Sequence, residues 1–145
     1  MQNMGKWMAV AANVTASAVL ALASGCATNA AAPTQSGVSL TDTSWKLAEL
    51  AGQPGGQQSL TFDASKGMVF GSGGCNNFSG AYQWSGKSLK LGPLASTRRA
   101  CAEDAASRQE YAFLQALDAT RTWKVEGKTL ILSGDTGQLA RFTAQ

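Results

Sequence analysis

Histidine is absent from this 145-residue chain, and charged residues are few. Without histidine, Ser–His and Cys–His nucleophiles and histidine-ligated metal sites are excluded. Charged residues make up 14 % of the chain, the formal net charge is +3, and Arg98–Arg99 is the single adjacent basic pair. A nucleic-acid-binding surface needs a basic stripe that neutralises several phosphates, so nucleic acid is not an expected partner. The sequence therefore points away from the commonest catalytic and nucleic-acid-binding classes.

The longest apolar stretch lies near the N-terminus. Lys6 precedes the apolar stretch Trp7–Ser24, and small residues then lead to Cys26. The stretch is short for a permanent membrane span and is interrupted by polar residues such as Asn13. A basic start, an apolar middle and small residues before a cut are typical of secretion. We therefore predict a signal peptide over residues 1–25.

Cys26 determines the kind of signal peptide. The segment Leu22–Cys26 resembles the bacterial lipobox, in which the cysteine is acylated before cleavage makes it the new N-terminus. The register differs, because Ala23 stands where that motif usually has leucine. Ordinary cleavage would instead leave a free thiol, and three cysteines leave one over after any pairing. We expect lipidation of Cys26, which would hold the protein permanently to a membrane.

The residue after Cys26 bears on the destination. Ala27, rather than aspartate, resembles the sorting pattern for the outer membrane, and we expect the domain to face the periplasm. Residues 26–41 are rich in Ala, Thr, Asn, Pro and Ser and carry no charge, so they predict a flexible tether. The folded domain is expected over residues 42–145.

Eight short segments of this domain carry strand signals. Two of the turns between them, Ser85-Gly86 and Glu126-Gly127, are typical of two-residue hairpins. The expected strands are Trp45–Leu50, Leu60–Phe62, Met68–Phe70, Phe78–Trp84, Lys87–Leu91, Thr122–Val125, Lys128–Ser133 and Gln138–Phe142.

One segment has helical spacing. Ala106, Phe113 and Leu117 fall on one face and predict a helix over residues 103–118. Ser107 with Glu110 could instead form a capping box and start the helix later. The fold class that follows is α+β: a small antiparallel sheet of about seven or eight short strands, with a single helix covering one side.

The most unusual local sequence is Gly73–Tyr82, which begins Gly-Gly-Cys-Asn-Asn. Two features follow it along the chain: the segment Leu94–Cys101, which contains Thr-Arg-Arg-Ala-Cys, and then the predicted helix. This combination resembles the META domain, the HslJ-like heat-shock lipoprotein family of the bacterial envelope. The resemblance covers about residues 42–145. It implies a small α+β domain with no cofactor and no established catalytic residues, associated with envelope stress or antimicrobial tolerance.

Four residues of these two segments are candidates for a contact surface: Asn76, Asn77, Arg98 and Arg99. The guanidinium groups match carboxylate or phosphate groups of a partner. The alternative is structural, with the asparagines forming a turn and the arginines solvated at a strand end. Glu103 and Asp104 are adjacent, so on a helix they do not face one another as a catalytic pair would.

Cys75 and Cys101 remain once Cys26 is assigned to lipid. Export would place them in an oxidising compartment, so we expect them to form a disulfide. The alternative is two buried free thiols that pack as small hydrophobic groups. A redox-active pair is disfavoured, because the chain has no Cys-X-X-Cys spacing.

The leading hypothesis is a non-enzymatic outer-membrane lipoprotein, without cofactor or metal, that acts through contact with an envelope protein or a ligand. The alternative is a periplasmic small-molecule-binding module. It would use an apolar pocket between helix and sheet, with tryptophans at its mouth. Trp84 and Trp123 are themselves expected to pack in the core or at an interface rather than to form a sugar-binding platform.

Overall fold

The computed structural model describes residues 37–145, which form ten strands and one helix. Within these residues, no helix is both long and apolar enough to cross a membrane. The helix is α1 Asp104–Asp118, and the strands are β1 Ser44–Leu50, β2 Gln53–Pro54, β3 Ser59–Asp63, β4 Met68–Ser72, β5 Asn77–Ser85, β6 Ser88–Leu91, β7 Ala95–Ser96, β8 Thr122–Glu126, β9 Thr129–Gly134 and β10 Gly137–Ala144.

Eight of the strands close into an antiparallel barrel. Their order is β1-β3-β4-β5-β6-β8-β9-β10, and β10 pairs back onto β1. The closing register places Trp45 opposite Ala144 and Leu47 opposite Phe142. Strand β2 adds to β1, and β7 adds to β5. The shortest pairing in the ring joins β6 to β8, with Ser88 opposite Thr122 and backbone hydrogen bonds on either side of that pair.

The predicted fold class is therefore wrong. The sequence predicted an α+β domain, a small antiparallel sheet with one helix on one side, whereas the domain is a mostly β closed barrel with two extra strands and one short helix. Hairpin signals are local and identified the strands. Closure depends on the first and last strands, whose pairing leaves no signal in either strand alone. Pairing them satisfies backbone groups that an open sheet would leave exposed at its edges.

The interior of the barrel is filled by alternate residues of the strands, since successive side chains point to opposite faces. Trp45, Phe62 and Phe142 are completely buried there. The helix adds Phe113, whose ring centroid lies 5.8 Å from that of Phe78 and 6.1 Å from that of Phe142. The helix is thus fixed to the barrel by aromatic packing.

The helix begins at Asp104, one residue after the predicted start. Glu103 occupies the N-cap position without a side-chain hydrogen bond to the helix. The later start through a capping box of Ser107 and Glu110 is wrong, because both residues lie inside the helix. Glu110 is buried and turned toward the barrel instead.

The ordered contacts begin before residue 42. Leu40 is buried, and its carbonyl accepts a hydrogen bond of 3.0 Å from Trp45 Nε1. Thr41 forms an isolated parallel bridge with Phe62. The barrel therefore includes the last residues assigned to the tether. The predicted signal peptide and residues 26–36 of the tether, Cys26 included, lie outside the described residues.

Candidate functional site

The turn between β4 and β5 is shaped by two glycines. A Cβ on Gly73 would lie 2.7 Å from the Glu110 carboxylate, so only glycine lets the helix approach this closely. Gly74 has a φ of +108°, which other residues rarely adopt. These two residues bring the backbone of Cys75 and Asn76 against the helix.

Glu110 joins the helix to this turn. Its Oε2 accepts hydrogen bonds from the backbone N–H of Cys75 at 3.0 Å and of Asn76 at 2.6 Å. Its Oε1 accepts a third from Asn76 Nδ2 at 2.8 Å. One carboxylate therefore satisfies three donors that lie more than 30 residues away in sequence.

Asn76 extends this connection to the segment after β7. Its Oδ1 accepts hydrogen bonds from Thr97 Oγ1 at 2.8 Å and from the backbone N–H of Arg99 at 2.7 Å. Its Nδ2 also donates to the Arg99 carbonyl at 3.3 Å. The side chain is buried and its amide is fully engaged inside the protein.

Cys75 and Cys101 form the predicted disulfide, with their Cα atoms 5.7 Å apart. The alternative of two free thiols is therefore wrong. Arg99 Nη2 donates to the Cys75 carbonyl at 3.0 Å across the same junction. We call the connected set Cys75, Asn76, Thr97, Arg99, Cys101 and Glu110 the polar hub.

The charge of the hub is fixed by Glu110. Burial raises the pKa of this carboxyl group, but the hydrogen bonds from Asn76 and Cys75, with the nearby Arg99 charge, lower it by more. The net pKa lies below the ordinary value for glutamate. Glu110 is therefore ionised at neutral pH and acts as an acceptor rather than as a proton donor.

The structure divides the four predicted contact residues. Asn76 is buried, so it cannot meet a partner and takes the structural alternative. Arg99 is exposed, but its backbone and guanidinium both serve the hub. Asn77 and Arg98 are exposed, and their role in contact stays a prediction.

Sequence reasoning missed the role of Glu110. The available signal was its position: it lies three residues before Phe113 and seven before Leu117, on the face that packs inward. A charged residue on a buried helical stripe requires a partner. That partner is the set of donors in the turn: the backbone N–H groups of Cys75 and Asn76 and the side-chain amide of Asn76.

Two grooves bear on the predicted ligand pocket. A groove of about 760 Å³ does lie between helix and sheet, lined by residues such as Leu50, Pro54 and Arg108, but no tryptophan lines it. Trp84 and Trp123 instead line a separate groove of about 410 Å³. The pocket and the tryptophans of the alternative hypothesis are therefore in different places.

The described residues offer no metal centre. Residues 37–145 contain no group of three or more His, Cys, Asp or Glu side chains placed to hold an ion. Glu103 and Asp104 lie exposed at the helix start. The chemistry of the hub is hydrogen bonding and covalent cross-linking of the fold.

Comparison with known proteins agrees with this architecture. The sequence model described as META domain matches residues 38–145. No curated protein matches the chain. An NMR structure of a protein from Burkholderia xenovorans is 29 % identical, with a TM-score of 0.60 over 73 % of this chain and 83 % of that one. Another NMR structure is 22 % identical, with a TM-score of 0.59 over 73 % of this chain and 94 % of its own, and supports the fold.

Proposed function

The chain belongs to the META domain family, and from this premise we propose that it is a non-enzymatic lipoprotein of the bacterial outer membrane. Its barrel faces the periplasm and serves envelope stress or antimicrobial tolerance through contact with a protein or a ligand. Cys26 carries the lipid, and residues between it and the barrel hold the domain off the bilayer.

The observation that carries this proposal is the disulfide between Cys75 and Cys101. Disulfides persist in oxidising compartments such as the periplasm and are rare in the cytosol. The bridge thus agrees with the export that the N-terminal sequence predicts. Pairing Cys75 with Cys101 also leaves Cys26 as the unpaired cysteine, at the position where the lipobox-like segment requires it.

The polar hub supports a non-catalytic role. The Glu110 carboxylate, the most obvious candidate acid or base, accepts three hydrogen bonds from the fold itself. Its lowered pKa makes it a weak base at neutral pH. The hub therefore suits a rigid scaffold that presents its outer surface to a partner.

Membrane attachment is tested with two variants of the full chain expressed in a Gram-negative host. The wild type should partition into the detergent phase, whereas Cys26→Ala should remain as an uncleaved precursor that incorporates no labelled fatty acid. Ala27→Asp is the matched variant: it should still be acylated but should move from the outer-membrane to the inner-membrane fraction. Wild-type protein recovered freely soluble from the periplasm would overturn the proposal.

The stress role is tested in the native host by deleting the gene. The deletion strain should lose viability under heat or antibiotic challenge, and the full chain should restore it while Cys26→Ala should not. Equal survival of deletion and parent strains under every such challenge would contradict the role in tolerance and leave the lipidation result standing.

A further inference from the structure

The groove that contains Trp84 and Trp123 has the properties of a ligand site. It lies where the segment before β1 meets the β5–β6 turn and β8, and its volume of about 410 Å³ falls in the range of small-molecule sites. Its apolar walls include Val38, Leu40 and Val125. We call it the tryptophan groove.

The two indole rings form a preorganised pair. Their centroids are 5.4 Å apart at an interplanar angle of 64°, an edge-to-face arrangement. Trp123 is held in place because its Nε1 donates to the Gly86 carbonyl at 3.1 Å. Trp84 is 51 % exposed although it belongs to the largest side-chain type. Because Trp123 is held in place and Trp84 is exposed, the pair offers a flat apolar surface on which an aromatic ring of a ligand can pack.

The charged residues that line the groove are both basic. Lys87 and Lys124 line it, and no carboxylate is among its lining residues in the described part of the chain. Lys124 forms an ion pair with Glu126. Within residues 37–145, Lys87 has no such carboxylate partner, so its ammonium group is available to an anion.

The polar groups of the groove argue against a sugar. A pyranose ring needs several hydrogen-bonding side chains for its hydroxyl groups, and Ser39 is the one hydroxyl side chain among the described lining residues. A planar ring with a single anionic group matches the indole pair and Lys87 without unsatisfied hydroxyls.

We propose that the tryptophan groove binds a small aromatic carboxylate, with its ring against Trp84 and its carboxylate beside Lys87. This inference deepens the proposed function, because it assigns the ligand contact of the barrel to one place and one chemical class. It rests on the proposed function for one premise, namely that the barrel meets its ligand in the periplasm.

The test is a titration of the full chain in non-ionic detergent with 2-naphthoate, followed by NMR of the indole N–H signals. The Trp84 and Trp123 signals should shift together and saturate. Trp84→Ala, read through Trp123, should weaken binding about threefold to tenfold. Lys87→Ala should weaken it about twofold to fivefold, and the control Lys90→Ala, on β6 outside the groove, should leave it unchanged.

Three further probes test which chemical class of ligand the groove binds. Neutral 2-naphthylmethanol should bind the wild type more weakly than 2-naphthoate, and Lys87→Ala should remove that difference. Octanoate and glucuronate should bind more weakly than 2-naphthoate. Equal binding of octanoate, tighter binding of glucuronate, or no saturable shift with 2-naphthoate would overturn the inference. None of these outcomes alters detergent partitioning or acylation, so membrane attachment is judged separately.

Discussion

At the scale of single residues, Glu110 holds the helix and the β4–β5 turn together. Its carboxylate accepts two backbone N–H groups and one side-chain amide. Hydrogen bonds to an ionised group contribute more than neutral ones, and removing one partner leaves buried donors unsatisfied. Loss of this one side chain would therefore weaken the junction at three hydrogen bonds.

Replacing Glu110 by glutamine tests this dependence. The amide keeps the shape but loses the charge and presents N–H donors to other donors, so we expect the free energy of unfolding to fall by about 1–3 kcal/mol. Glu103→Gln is the matched control, because Glu103 makes no side-chain cap hydrogen bond. Urea unfolding measures both. An equal loss in both variants would contradict the role of the hub.

Asp63, at another turn, is expected to contribute to the pH dependence of stability. Hydrogen bonds from Ser65 and Lys66 lower the pKa of Asp63 from 3.8 to about 2. A carboxyl group with a lowered folded pKa stabilises the fold above its unfolded pKa, and the contribution disappears as pH falls through the folded value. We therefore expect the stability difference between wild type and Asp63→Asn to be constant above about pH 5, to shrink as pH falls from there, and to vanish only below about pH 2. Unfolding midpoints measured across this range that differ by a constant amount would contradict the assignment.

At the scale of elements, the disulfide ties the β4–β5 turn to the segment before the helix. Cys75 and Cys101 are 26 residues apart, and the chain-entropy estimate for closing such a loop is about 3.5 kcal/mol. This is a large share of the roughly 5–15 kcal/mol that stabilises a typical domain. The bridge and the Glu110 contacts act on the same turn, so their effects are expected to be coupled.

Reduction of the disulfide should lower the melting temperature of the wild type by about 10 °C or more. The double variant Cys75→Ala/Cys101→Ala should melt lower than oxidised wild type and should not respond to reductant. Differential scanning calorimetry with and without reductant makes the comparison. A wild type that is indifferent to reductant would contradict the stabilising role of the bridge.

The individual elements were largely predictable from sequence. All eight expected strands are present within one or two residues at most ends, because alternation and turn residues are local signals. The strands β2 and β7 were missed, since two residues carry no periodicity. The helix was found through its apolar face. The hydrogen-bond partners of Glu110 could not be predicted, because they lie in a turn that is distant in sequence.

At the scale of the whole molecule, the closed barrel is the feature that sequence analysis did not predict. Strands β1 and β10 are the first and last strands in the sequence of the domain, yet they pair with each other along Trp45–Leu50. The sequence pattern of each strand by itself is equally compatible with an edge strand, so the pairing that closes the barrel could not be predicted from it. The META domain resemblance itself is confirmed, over residues 38–145.

Closure makes the interior a single packed unit. Phe142 on β10 is fully buried and contacts the helix through Phe113. Phe142→Ala should therefore cost about 3–5 kcal/mol of unfolding free energy. Phe70 on β4, which is 45 % exposed, is the matched control, and Phe70→Ala should cost much less. Equal losses in guanidinium unfolding would contradict the packing described.

In the proposed function, this barrel is carried on an acylated cysteine at the outer membrane. Intact-mass spectrometry of the wild-type chain isolated from the membranes of its host tests it most directly. We predict one species that begins at Cys26, carries acyl chains on that residue and retains the Cys75–Cys101 bridge. A chain without acyl groups, beginning at any other residue, would contradict it.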